Sequence, residues 1–169
     1  MTLDDFLGNY FDRGVFAQLA MLSATGVSNM VTRSVRDAQA RSLLTVTVGG
    51  IEVLGALIAP KFQDKPRKNF RRYWREILYP GNVLDRLVHT AARTGMTHEM
   101  IADAPVITAG EGMHLEVTDG VLTIDVYRLI EDLRASYEVL VVEGRRPVMQ
   151  ARLDDLLART TKVFAKLQR

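Results

Sequence analysis

The chain contains no cysteine. That single absence excludes disulfides, thiolate nucleophiles and cysteine metal sites together. It also fits a reducing compartment, and the cytoplasm is the expected location. Histidine is scarce: His89, His98 and His114 are the whole supply. They are dispersed and lack spaced carboxylates, so no metal and no cofactor is expected. His98-Glu99 lacks the second helical histidine of a zinc protease. There is no Walker loop and no G-x-G-x-x-G run; Gly49-Gly50, and Gly110 with Gly112, lack the flanking pattern. Nothing marks a nucleophile elbow. A long uncharged apolar run is missing too. The longest, Leu43 to Ala59, carries Glu52 and three glycines, whereas a membrane span wants about 20 apolar residues with few charges. It reads as a buried core helix, and no membrane partner is expected. Asp4 and Asp5 stand where a secretion signal would be basic, so none is expected.

What is present is ordinary for a folded protein. The 169 residues suit a single domain over 1–169, with 47% hydrophobic and 25% charged residues. The net charge of +2 is small, but its distribution is not even. From Lys61 to Arg75 there are seven basic residues (Lys61, Lys65, Arg67, Lys68, Arg71, Arg72 and Arg75) against one acid, Asp64.

Helical spacing dominates the chain. Residues 2 to 31 read as helix, capped by Thr2 with Asp4 and Asp5 in the first turn. Gly14 is expected to break it, and Gly26, Ser28 and Asn29 suggest a turn. A long helix follows from about Thr32 to Ala59, apolar nearly all round in its second part and therefore central. Thr45 to Val48 has high β propensity and makes a strand the competing reading. Gly49, Gly50 and Gly55 suit close approach of a neighbouring backbone, and Pro60 ends the helix. Phe62 to Lys65 reads as a loop. Pro66 opens a helix to about Leu78 whose Phe70, Tyr73 and Trp74 form an inward stripe. Asn82 caps the next helix, with Leu84, Leu87, Val88 and Ala91 as core face and Arg86, His89 and Arg93 on another. Gly95 offers its stop.

From Pro105 the period changes to two. Met113–Thr118 and Val121–Val126 flank Asp119-Gly120, a hairpin signal that sets Val117 opposite Leu122 and Leu115 opposite Ile124. His114 then falls opposite Asp125 and reads as a cross-strand contact. Helix resumes from about Val126 to Val142 with Asp125 as cap. After the connection from Glu143 to Pro147, an amphipathic helix runs to about Lys166. This C-terminal segment, 147–169, packs either on the same domain or on a partner subunit.

Two features invite chemistry. Glu52 lies inside the apolar helix, and a buried carboxylate needs a partner. It reads either as a satisfied ion pair or as a group that orients an Arg or a His. Arg93 and His98 are five apart, which in an unbroken helix leaves them about 140° apart. A break at Gly95 lets them converge. His titrates near neutrality, and Arg stays charged and offers a fork to phosphate. His98 would take the proton of a ribose 2′-hydroxyl or protonate the leaving oxygen, while Arg93 would stabilise charge on the phosphorus oxygens. Lys68, Arg71, Arg72 and Arg75 read either as a solvated helix face or as a phosphate-binding face for an RNA backbone, with Arg86 and His89 as accessory or surface groups.

Arg93-Thr94-Gly95-Met96-Thr97-His98 resembles the R-x(4–6)-H motif of the HEPN superfamily. Ile51-Glu52-Val53-Leu54-Gly55 is similar to a central-helix segment of HEPN-like bacterial proteins, and the basic aromatic helix at 67–78 fits their order. The resemblance reaches from about Ala38 to Val142 and departs at Thr94, where active members usually carry Asn, Asp or His. It implies a mainly α, antiparallel HEPN-like bundle, here with a small β-hairpin insertion near 113–126. It further implies a homodimer whose motifs share a cleft, and metal-independent ribonuclease activity in toxin–antitoxin, phage-defence or RNA-processing settings. A cognate antitoxin and RNA are the implied partners. The alternative is a catalytically inactive HEPN-like module that binds nucleotide or protein.

Overall fold

A computed structural model describes residues 1–25, 33–61, 65–93, 106–108, 113–142 and 145–167. Within them the protein is mainly helical with a small sheet. Helix α1 (Leu3–Leu7) continues through a π-type stretch, π1 (Gly8–Phe16), into α2 (Ala17–Thr25). Thr2 and Asp5 form a reciprocal capping box at its start. The break expected at Gly14 does not occur. Phe11, Val15 and Phe16 are buried on both sides of it, and their packing outweighs the propensity cost of one glycine.

Helix α3 (Arg33–Leu57) is the centre of the bundle. Leu43, Leu44, Val48, Ile51 and Leu54 are fully or almost fully buried in one hydrophobic cluster. The strand alternative at Thr45–Val48 therefore fails: tertiary burial around a long helix overrides a short β-branched run. Ala38–Leu57 is long and apolar enough to cross a membrane by length and composition. Here its residues carry the helices packed around α3.

Helix α4 (Pro66–Tyr73) lies along α3, and its π-type continuation π2 (Trp74–Leu78) runs on to meet the later helix at 126–142. Phe70, Tyr73 and Trp74 are wholly buried, as the inward stripe requires, each contributing about 2–3 kcal/mol of hydrophobic free energy. The Tyr73 hydroxyl meets Ser136 Oγ at 2.9 Å, and burial pushes its pKa up to about 12. Gly55 explains how close α4 comes: a Cβ there would run into the backbone of Asn69. Gly50 takes Val15 at 3.3 Å from the same position, while Gly49 faces open space.

Helix α5 (Asp85–Arg93) follows the Pro80-Gly81 turn. Asn82 Oδ1 accepts from the Leu84 amide at 2.8 Å and from the Trp74 indole at 3.2 Å. Val88 and Ala91 are buried as expected, but Leu87 is 47% exposed and does not belong to the core face. Asp85, 4% exposed, takes the inward place instead.

Strands β1 (Val106–Thr108), β2 (Glu116–Thr118) and β3 (Val121–Asp125) make a sheet of order β1-β3-β2. The hairpin register is the expected one at Val117 opposite Leu122, but the pairing stops at Glu116, so the expected pair of Leu115 with Ile124 does not form. Asp119 and Gly120 both have positive φ, 52° and 79°, which a right-twisting two-residue turn needs. The parallel pairing of β1 with β3 was not expected; three residues hold no period that reveals a non-local partner. Asp125 Oδ1 caps α6 (Val126–Val142) through the Tyr127 amide at 3.0 Å. Helix α7 (Arg146–Leu167) packs through the buried Met149 and Leu153 and touches α1 and α3 of the same chain. Gln150 Oε1 accepts from the Leu3 amide at 2.6 Å.

Gly55→Ala should cost about 3 kcal/mol, the upper range of overpacking, whereas Gly49→Ala should stabilise by roughly 0.5–1 kcal/mol through helix propensity. Urea unfolding of both variants checks the pair. Equal effects would contradict the close α3–α4 contact.

Candidate functional site

The site grows from one buried carboxylate. Glu52 sits on the face of α3 that α5 covers, and seven residues earlier Thr45 shares that face. The Thr45 hydroxyl donates back to the Arg41 carbonyl of its own helix at 2.9 Å and lies 3.2 Å from the carbonyl of Ala92. α5 thus comes within reach of α3 beside Arg93. Glu52 Oε1 then accepts from His89 Nε2 at 2.9 Å, and Oε2 pairs with the Arg93 guanidinium. His89 and Arg93 are four apart and so share one edge of α5. One carboxylate, two oxygens and two neighbouring donors close the arrangement.

The three side chains differ in access. Glu52 and His89 are 11% and 12% exposed at the side chain, whereas Arg93 is 49% exposed. The carboxylate can only accept, so His89 carries its proton on Nε2 whether the ring is neutral or charged. The ring also lies 5.2 Å from Phe70, which stacks on Trp74 at 5.3 Å. The aromatic stripe of α4 therefore backs the histidine. Tyr10 on π1 also feels the carboxylate: burial raises its phenol pKa first, and the charge of Glu52 adds to it.

His89 is thus not a surface accessory but an inner arm of the cluster. The signal for it lay in the His89/Arg93 spacing beside a lone acid in the apolar helix. His98 and Gly95 lie outside the described residues, as does the Arg93–His98 convergence. Of the basic face, Lys68 and Arg71 are exposed. Arg72 is partly covered, with Nε 3.8 Å from Glu76. Arg75 is bound inward, its Nε 2.8 Å from the buried Asp85. It spans the turn between π2 and α5, a structural task that charge counting did not separate from ligand binding. Arg86 is exposed on α5, two turns before Arg93 and on the same side.

His114 also differs from expectation. Leu115 has φ of 55°, which ends the ladder at Glu116 and turns His114 away from the strand pairing. Its Nε2 meets the Tyr79 hydroxyl at 2.8 Å, and that hydroxyl donates to Asp132 Oδ2, also at 2.8 Å. Asp125, the expected partner, acts on His114 through its charge and backbone carbonyl while its own carboxylate caps α6.

Among the described residues no group of three His, Asp or Glu side chains gathers to hold a metal. Compared with protein-family models, with curated proteins and with solved structures, the chain matches none.

Chemically, a half-exposed guanidinium held from behind by a buried anion is oriented for an outside anion. Glu52→Gln should loosen it and lower stability by about 1–3 kcal/mol, the range for a charged buried hydrogen bond. Denaturant unfolding measures this. Unchanged stability would mean that the carboxylate contributes nothing to the packing of α5 on α3.

Proposed function

We propose that this protein is a HEPN-like RNA-binding protein and a metal-independent endoribonuclease. The observation that carries the reading is the clasp on Arg93: the arginine that opens the R-x4-H sequence is oriented by the buried Glu52 of the central helix. Mainly helical architecture and the exposed Lys68 and Arg71 on α4 support it further.

In this reading Arg93 binds the scissile phosphate and stabilises the charge that builds on its oxygens. His98 accepts the proton of the ribose 2′-hydroxyl or returns one to the departing 5′-oxygen. The 2′-oxygen forms its bond to phosphorus as the bond to the 5′-oxygen breaks, leaving a cyclic phosphate and a 5′-hydroxyl. No metal takes part. Glu52 and His89 are positioning residues, since neither faces outward as Arg93 does. Lys68 and Arg71, with Arg86, hold RNA backbone. Arg72 and Arg75 contribute less, because Glu76 and Asp85 already engage them. Two subunits with facing motifs, a cognate antitoxin and a cytoplasmic setting complete the proposal.

A second reading has its own observation. Arg93 already has an anionic partner in Glu52, and a closed ion pair is what a catalytically silent interaction module would keep. Cleavage assays separate the two. With EDTA present, Arg93→Ala and His98→Ala should each lower RNA cleavage about 10²-fold or more. No cleavage by the wild type, with RNA binding retained, would favour the silent module. Lys68→Ala with Arg71→Ala should reduce the slope of log affinity against log salt for single-stranded RNA by about 1.4, or roughly 0.7 for each phosphate that is no longer neutralised. An unchanged slope would remove this face from RNA binding.

A further inference from the structure

Strand β2 is weakly attached. Glu116, Val117 and Thr118 are all exposed, and the strand pairs with β3 through three residue pairs. It is an edge strand with no buried side chain within its bounds. Its entry is tied to the helices by the half-buried Leu115, which packs against the core, and by the side chain of His114. The left-handed conformation of Leu115 directs that side chain inward, a conformation that costs a non-glycine residue of its size and persists only where contacts hold it. The contact is the hydroxyl of Tyr79 at the end of π2, which reaches Asp132 on α6. Arg128 Nε in turn lies 3.3 Å from Asp132. Three separate elements meet at one phenol.

The proton positions follow from the partners. Asp132 accepts, so Tyr79 donates to it, and the phenol oxygen then accepts from His114 Nε2. Neutral His114 already supplies that proton. A second proton would go to Nδ1, a buried atom with no well-formed hydrogen bond and only the backbone carbonyl of Asp125 beside it. We propose that the His114–Tyr79–Asp132 chain is an acid-released clasp that docks the edge strand β2 on the helical body.

Every charged group around His114 enters the balance. Asp132 on α6 and Asp125 on β3, the latter through both charge and carbonyl, favour the cation, while Arg128 opposes it. Burial outweighs them and lowers the pKa of His114 below the ordinary imidazole value. A released strand therefore binds more protons than a docked one. Docking is complete above about pH 6.5, the ordinary value, and weakens as pH falls through it towards the lowered one. The clasp is independent of any RNA chemistry, since none of its residues belongs to the Glu52 cluster.

The test is amide hydrogen exchange of Glu116–Thr118 in the full chain at about pH 7.5 and about pH 5, corrected for intrinsic rates. Protection of β2 should fall at the lower pH, about tenfold for each unit by which His114 is shifted, while α3 keeps its protection. Trp74 lies 4.6 Å from Tyr79, edge to face, and its fluorescence should report the same transition. His114→Gln, which keeps a donor and does not titrate, should show no pH-dependent change; His89→Gln should keep it. Tyr79→Phe should leave β2 poorly protected at both pH values. Equal wild-type protection at both pH values overturns the proposal, as does a fall that survives in His114→Gln. The wild-type comparison decides even if a variant fails to fold.

Discussion

Burying one carboxylate at Glu52 constrains most of what surrounds it. An ionised group removed from water loses several kcal/mol of solvation unless partners replace the water. Glu52 is 9% exposed as a residue and sits in the long apolar stretch of α3. Both oxygens are occupied, one by His89 and one by Arg93. That requirement constrains the rotation of α5, because only one edge of the helix carries a histidine and an arginine four residues apart. Once α5 is rotated so, Val88, Ala91 and Ala92 face the core and Leu87 is left outside.

The aromatic helix answers the same constraint from the other side. Gly55, one turn beyond Glu52, lets α4 approach until its backbone touches α3. Phe70 then reaches the His89 ring. The buried Asp85 at the start of α5 is matched by Arg75, so each buried acid on the α3–α5 side has an arginine or histidine drawn to it. A consequence is that the basic run from Lys61 to Arg75 divides. Some of its charge closes the fold, and some, at Lys68 and Arg71, faces out.

Local signals in the sequence carried further than long-range ones. The Thr2 cap, the Asp125 cap, the inward Phe70, Tyr73 and Trp74, and the hairpin turn at Asp119-Gly120 each depend on residues within a few positions, and the structure holds them as read. That Glu52 needed a partner was legible from its surroundings. Which partner was not, because His89 and Arg93 lie 37 and 41 positions away. The pairing of Arg75 was hidden too, because its acid, Asp85, lies across a turn. His114 escaped because its direction depends on a positive φ at Leu115, which a leucine seldom adopts. At Gly14 the propensity argument was sound in itself and lost to the packing of its neighbours.

The central claim is energetic coupling between Glu52 and Arg93, on which both the orientation of α5 and the proposed phosphate-binding role depend. A double-mutant cycle of Glu52→Gln and Arg93→Ala, read by denaturant unfolding, measures it most directly. A coupling of about 1–3 kcal/mol is expected, as for residues in direct contact. Single-variant losses that add to within about 0.5 kcal/mol would show that the two side chains do not act together, and would contradict it.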